Sequence, residues 1–157
     1  MAGSAPTWRT MEADMKIREI MTQQVETVSP DTSLKEAARM MRDADIGFLP
    51  VGENDRLVGT LTDRDIAIRA VADGKDPNSS KVRDAMSSDL VFAFEDQDSN
   101  EAAQIMSEKQ IRRLPILNRD KRLVGVVAVG DLATKTHDDD VVGQTMEDVS
   151  RPGKGKR

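Results

Sequence analysis

An internal duplication limits what this chain can fold into more than any other feature of it. Residues 56–67 read RLVGTLTDRDIA and residues 122–133 read RLVGVVAVGDLA, identical at six of twelve positions at a shift of 66. Upstream, at a shift of 65, Met21/Met86, Asp31/Asp96, Glu36/Glu101, Ala37/Ala102, Ala38/Ala103, Met41/Met106, Ile46/Ile111, Leu49/Leu114 and Pro50/Pro115 coincide. One extra residue between Pro115 and Arg122 accounts for the change of shift. A repeat of this length makes one supersecondary unit, too small to bury its own apolar faces well, so two copies are expected to complete one another.

Each copy carries the same order of signals. A short apolar stretch (VETVS, 25–29; LVFAF, 90–94) precedes a run with apolar residues at helical spacing: Leu34, Ala37, Ala38 and Met41, then Ala102, Ala103, Ile105 and Met106. Ser33 and Glu36 have capping-box spacing, in which each side chain satisfies a backbone N–H at the helix entrance. Two further strands follow (FLPV and LVGTLT; RLPIL and LVGVVA), then a second helix opening at DRDIAIRAV or VGDLAT. The fold class is therefore α+β: two tandem βαββα repeats, expected to pack sheet to sheet with pseudo-twofold symmetry. Pro50 and Pro115 lack an N–H and point to an edge strand or a cleft wall.

The boundaries expected from this pattern are an N-terminal arm over 1–15, the first repeat over 16–74, a polar linker over 75–81 and the second repeat over 82–136. Residues 137–157 then form a helix and a basic tail. Asp140 is a candidate cap for that helix, with Val142, Met146 and Val149 on one face and Pro152 beyond its end.

Composition narrows the chemistry. There is no Cys or Tyr and one His, His137, so thiol catalysis and multi-His or Cys-ligated metal centres are excluded. The cluster of His137 with Asp138, Asp139 and Asp140 reads as a linker and helix cap rather than a metal site. A net charge of −5 disfavours nucleic acid as a general partner. The sequence shows no membrane-length apolar run, secretory signal or disulfide framework, so the expected compartment is the cytoplasm. No acid/base or nucleophile constellation emerges, and no catalytic residue or required cofactor is expected.

The doubled pattern, the strand ending in Leu-Pro-aliphatic and the GTLTDRD turn resemble the cystathionine-β-synthase (CBS) domain pair, or Bateman module, over about residues 16–136. The resemblance implies a regulatory module holding an adenosine nucleotide (AMP, ADP or ATP) in a cleft between repeats. It implies one site made of Thr62, Asp65, Leu90, Val91, Ile111, Arg112 and Arg113. A second, weaker one would be made of Val25, Ile46, Gly47, Phe48, Ala128 and Asp131. A carboxylate can accept bonds from both ribose hydroxyls, and a hydroxyl with guanidinium groups suits phosphate. The site with Thr62 also receives both arginines, whereas the site with Ala128 receives Gly47 and Phe48, so phosphate is expected at the first. Thr62 and Asp65 also have capping-box spacing; Asp131, kept beside Ala128, suggests a task beyond capping. The resemblance further implies a homodimeric disc of two pairs, with Ile66, Ala70, Val71 and the C-terminal helix as candidate contacts, and an effector protein as outlet. Alternatives are another adenosyl ligand, such as S-adenosylmethionine or NADH, or a structural module with degenerate clefts.

Overall fold

The computed structural model describes residues 15–136 and 139–150. The arm up to residue 14, His137, Asp138 and the tail from residue 151 lie outside the described residues. The chain forms two compact units that trade segments. The first contains Glu26–Val91 and Lys121–Leu123; the second contains residues 15–25, Phe92–Asp120 and 124–150.

The first two elements among the described residues are helix α1 (Ile17–Ile20), in the second unit, and helix α2 (Leu34–Ala44), in the first. The entrance of α2 is fixed by Ser33, whose Oγ accepts the Glu36 N–H at 3.0 Å. Only that half of the expected box forms; the Glu36 carboxylate instead lies 3.7 Å from the Arg39 guanidinium. Leu34, Ala37 and Met41 are buried on one face, and the helix ends where Asp45 turns left-handed at φ 56°.

Strands β1 (Phe48–Glu53) and β2 (Arg56–Thr62) form an antiparallel hairpin with Leu49 opposite Leu61. Its turn puts Asn54 and Asp55 at φ 56° and 65°, the paired positive values that suit the twist of a two-residue hairpin loop. The strand expected over 25–29 shrinks to one parallel bridge, Val28 to Val51, because the chain turns immediately at Ser29-Pro30. Strand β2 runs into helix α3 (Asp63–Ile66), which continues as a π-helical turn over Ala67–Val71. The polar linker is used structurally: the Ser80 and Pro77 carbonyls accept the free N–H groups of Leu34 and Lys35 at 2.9 and 3.1 Å.

In the second unit the expected strand over 90–94 is reduced to β3 (Ala93–Phe94), parallel to β4 (Arg113–Leu117), with β5 (Leu123–Ala128) completing the sheet in the order β3-β4-β5. Pro115 thus falls on the middle strand rather than an edge; β3 pairs only with Ile116 and Leu117 beyond it. Helix α4 (Ser99–Lys109) buries Ala102, Ala103 and Met106, and helix α5 (Val129–Lys135) follows β5. Helix α6 (Asp139–Ser150) packs on α4. Its described inner face is Val142, Thr145 and Val149; Met146, expected there, is 40% exposed. Asp140 lies within α6 rather than ahead of it.

The exchange between units is reciprocal. Residues 81–87 (KVRDAMS) repeat 16–22 (KIREIMT). Val82 and Ala85 are buried in the first unit's core with Leu34, Ala37, Leu49 and Leu61. Ile17 and Ile20 are fully buried in the second unit. In each unit this leader segment lies across the glycine of RLVG. Thr60 and Ser87 exchange both backbone bonds at 2.9–3.0 Å, as do Thr22 and Val126. A Cβ on Gly59 would stand 2.5 Å from the Ser87 carbonyl oxygen, and one on Gly125 2.7 Å from that of Thr22. The leader backbone therefore requires glycine at both places.

Candidate functional site

The two TxxD-type turns sit where β2 enters α3 and where β5 enters α5. At the first, the Asp65 N–H donates to Thr62 Oγ1 at 3.0 Å, and the Thr62 N–H donates to Asp65 Oδ2 at 2.9 Å. This is a complete capping box, with Asp65 buried. Thr62 Oγ1 accepts there, so its hydroxyl proton remains able to donate outward. The other carboxylate oxygen, Asp65 Oδ1, lies 3.9 Å from Arg69, whose guanidinium donates to the Ala85 and Met86 carbonyls at 3.2 Å.

At the second turn Ala128 offers no hydroxyl, yet its N–H donates to Asp131 Oδ2 at 2.8 Å. Asp131 Oδ1 pairs with Lys135 at 3.2 Å, and Lys135 Nζ donates to the Ile20 carbonyl at 3.0 Å. The survival of Asp131 beside Ala128 thus has a backbone cause: one half of the box works without the other. Both turns share one device, an aspartate, a cation four residues on and a leader carbonyl. The sequence signal for Arg69 and Lys135 is their i,i+4 spacing from the aspartates, present in both copies.

The remaining candidates divide between the units. Leu90, half exposed, and Val91, half-buried, belong with Thr62 and Asp65 to the first unit, as do Ile46, Gly47 and Phe48. Ile111, Arg112, Arg113, Ala128, Asp131 and Val25 belong to the second. Arg112 and Arg113 are both exposed, and Arg112 has one weak tether, a 3.3 Å hydrogen bond to Ser150 Oγ on α6. Ile66 is half-buried and Ala70 is 3% exposed, so Ala70 is core rather than a contact residue; Ile68 and Val71, at 52% and 69%, form the exposed apolar part of that helix.

A difference in charge separates the repeats at one conserved backbone bond. The Asp63 N–H donates to the Gly47 carbonyl at 3.0 Å, and the Val129 N–H to the Arg112 carbonyl at 3.1 Å. In the first repeat the space beside Gly47 holds the Asp63 carboxylate, with Oδ2 2.6 Å from where a Cβ would be. In the second the same position carries the Arg112 side chain, and Val129 stands for Asp63. Asp63 was missed because its neighbourhood with Gly47 depends on the strand-to-helix turn, not on spacing.

Among the described residues no cluster of three or more His, Asp or Glu could hold a metal ion, and no helix is long and apolar enough to cross a membrane. The family model for the CBS domain matches residues 17–71 and 82–138. The chain is 41% identical over 134 residues to the CBS domain-containing protein YhcV of Bacillus subtilis, covering 85% of this chain and 94% of that one. It is also similar to the crystal structure of Hypoxic Response Protein I, which has two coordinated zinc ions, at 38% identity and TM-score 0.70, covering 77% of this chain and 98% of that one. A third resemblance is to the CBS domain pair of protein MJ0100, solved with 5'-methylthioadenosine and S-adenosyl-L-methionine, at 28% identity and TM-score 0.67 over 76% of this chain and 93% of that one.

Proposed function

The chain belongs to the CBS domain family as a tandem pair, a regulatory ligand-binding module, and from that premise we propose that it senses an adenosine nucleotide. In this reading Thr62, Asp65, Leu90, Val91, Ile111, Arg112 and Arg113 serve the nucleotide, as the family resemblance implies. Asp65 accepts from the ribose hydroxyls, the Thr62 hydroxyl donates to phosphate, and the two guanidinium groups neutralise it. The observation that carries this reading is the opposite charge at one turn: a guanidinium at Arg112 where the first repeat has a carboxylate beside Gly47. The second cleft, with Val25, Ile46, Gly47, Phe48, Ala128 and Asp131, then repels phosphate. It suits an adenosyl ligand that is neutral or cationic, a second reading favoured by the Asp63 carboxylate and in keeping with the methylthioadenosine and S-adenosylmethionine held by the MJ0100 pair.

The module acts by binding, not catalysis. A ligand shifts the geometry of the pair only by as much as it binds one geometry better than another. The signal leaves through a homodimer of two pairs and an effector protein.

Calorimetric titration of AMP, ADP, ATP and S-adenosylmethionine tests the reading. Expected are nucleotide binding abolished by Asp65→Ala and weakened at least about tenfold by Arg112→Ala/Arg113→Ala, with little effect of Asp131→Ala. Nucleotide binding lost only in Asp131→Ala reverses the assignment of the clefts. If no adenosine compound raises the thermal midpoint, the module is structural; a ligand at about 100 times its Kd adds roughly 2.7 kcal/mol.

A further inference from the structure

The first helices of the two repeats have one corresponding face, but its residues and surroundings differ between the two. On α4 that face reads Asn100, Ala103, Gln104 and Ser107, and α6 lies against the helix. Ala103 is 2% exposed, Ser107 Oγ hydrogen-bonds Thr145 Oγ1 at 3.4 Å, and the Gln110 amide donates to the Asp148 carbonyl at 3.2 Å. The sequence of α6 holds Asp139, Asp140, Glu147 and Asp148 and no Lys or Arg.

On α2 the corresponding residues are Lys35, Ala38, Arg39 and Arg42, three cations around a small residue. Ala38 is exposed, and the four line a shallow depression with Pro77. Arg39 pairs with Glu36 at 3.7 Å and Arg42 with Asp43 at 2.9 Å, all four side chains more than half exposed. Such exposed pairs exchange readily for better-placed carboxylates.

We propose that this face of α2 is a docking surface for an acidic amphipathic helix of a partner protein, seated as α6 is seated on α4. A small partner residue covers Ala38, and carboxylates meet Lys35, Arg39 and Arg42. The i, i+3, i+4, i+7 spacing is that of helix recognition by a helix face. Charge makes the choice of partner: the neutral face on α4 holds the chain's own helix, and the basic face on α2 selects an acidic one. The chain's net charge of −5 makes the stripe a local exception and weighs against nucleic acid as its occupant. The inference goes beyond the ligand reading and holds whichever adenosine compound binds.

The probe is an acetylated, amidated peptide with the sequence of Asp139–Ser150, titrated into the isotope-labelled full chain and followed by amide chemical shifts, with no adenosine compound present. Saturable shifts at the amides of residues 35–42 are expected. Arg39→Glu/Arg42→Glu weakens binding at least about tenfold, Lys35→Gln weakens it less, and a peptide carrying Glu147→Lys and Asp148→Lys recovers affinity for the charge-reversed chain. Both variants should keep the parent thermal midpoint, because the replaced side chains are exposed. Three results overturn the proposal: shifts confined to α4 and α6, no shifts at α2 at about 1 mM peptide, or a single-stranded RNA oligomer that binds α2 more tightly than the peptide. Since no nucleotide is present, failure here leaves the ligand reading standing, and failure of nucleotide binding leaves this one standing.

Discussion

Three glycines differ in what an added side chain would meet, and substitution separates them. A methyl group on Gly59 or Gly125 meets a backbone carbonyl of the leader segment at 2.5–2.7 Å, and backbone held by a pair of hydrogen bonds cannot step aside cheaply. Gly125→Ala and Gly59→Ala are each expected to cost about 1–3 kcal/mol in urea denaturation. At Gly47 the obstruction is only the end of the Asp63 side chain, which rotates away, so Gly47→Ala is expected to cost less than about 1.5 kcal/mol. Equal costs at all three would contradict this account. The aspartates were legible in the sequence because both copies keep them, yet their persistence pointed past its immediate cause: Asp131 is held at its place by the Ala128 N–H. The Asp63–Gly47 contact was not legible, since it joins a turn to a helix entrance without periodicity.

The leader segments and C-terminal helix are the elements whose role the sequence understated. KVRDAMS and KIREIMT were visible as repeats, but periodicity says nothing about which partner a short segment packs against. Their burial makes them core. Ile17→Ala or Ile20→Ala is expected to destabilise by about 2–5 kcal/mol, read as a lowered urea midpoint with Thr22 amide exchange accelerated in parallel. The first strand of each repeat is shorter than its pattern for the opposite reason: the apolar stretch runs directly into Ser29-Pro30 or has only Ile116 and Leu117 to pair with. Two exposed clamps hold these elements: Arg83 on Asp31, and Arg119 on Asp96, where the guanidinium also stacks 4.1 Å over the Phe94 ring. The hydrogen-bonded arginines lower both aspartate pKa values. A carboxyl with a depressed folded pKa stabilises above its unfolded value of about 3.9, and that contribution fades as pH falls through the folded one. Unfolding monitored below about pH 4 should therefore be less acid-sensitive in Asp31→Asn and Asp96→Asn than in the parent.

For the whole molecule, the duplication predicted two halves but not that each half would be finished by the other's leader. A fragment beginning at Val82 lacks the two isoleucines that fill the second unit. It should remain unfolded by circular dichroism and gain structure when a peptide of residues 15–25 is added. Cooperative folding of that fragment alone would show that the traded segments are dispensable.

The traded leaders also bear on inheritance. A recombination event that moves one copy into another gene carries away a piece of its neighbour's interior and leaves its own interior short, so the heritable module is the pair. In a library of random internal deletions, survivors of a solubility screen should keep both copies or neither, with single-copy clones missing even where the reading frame is intact.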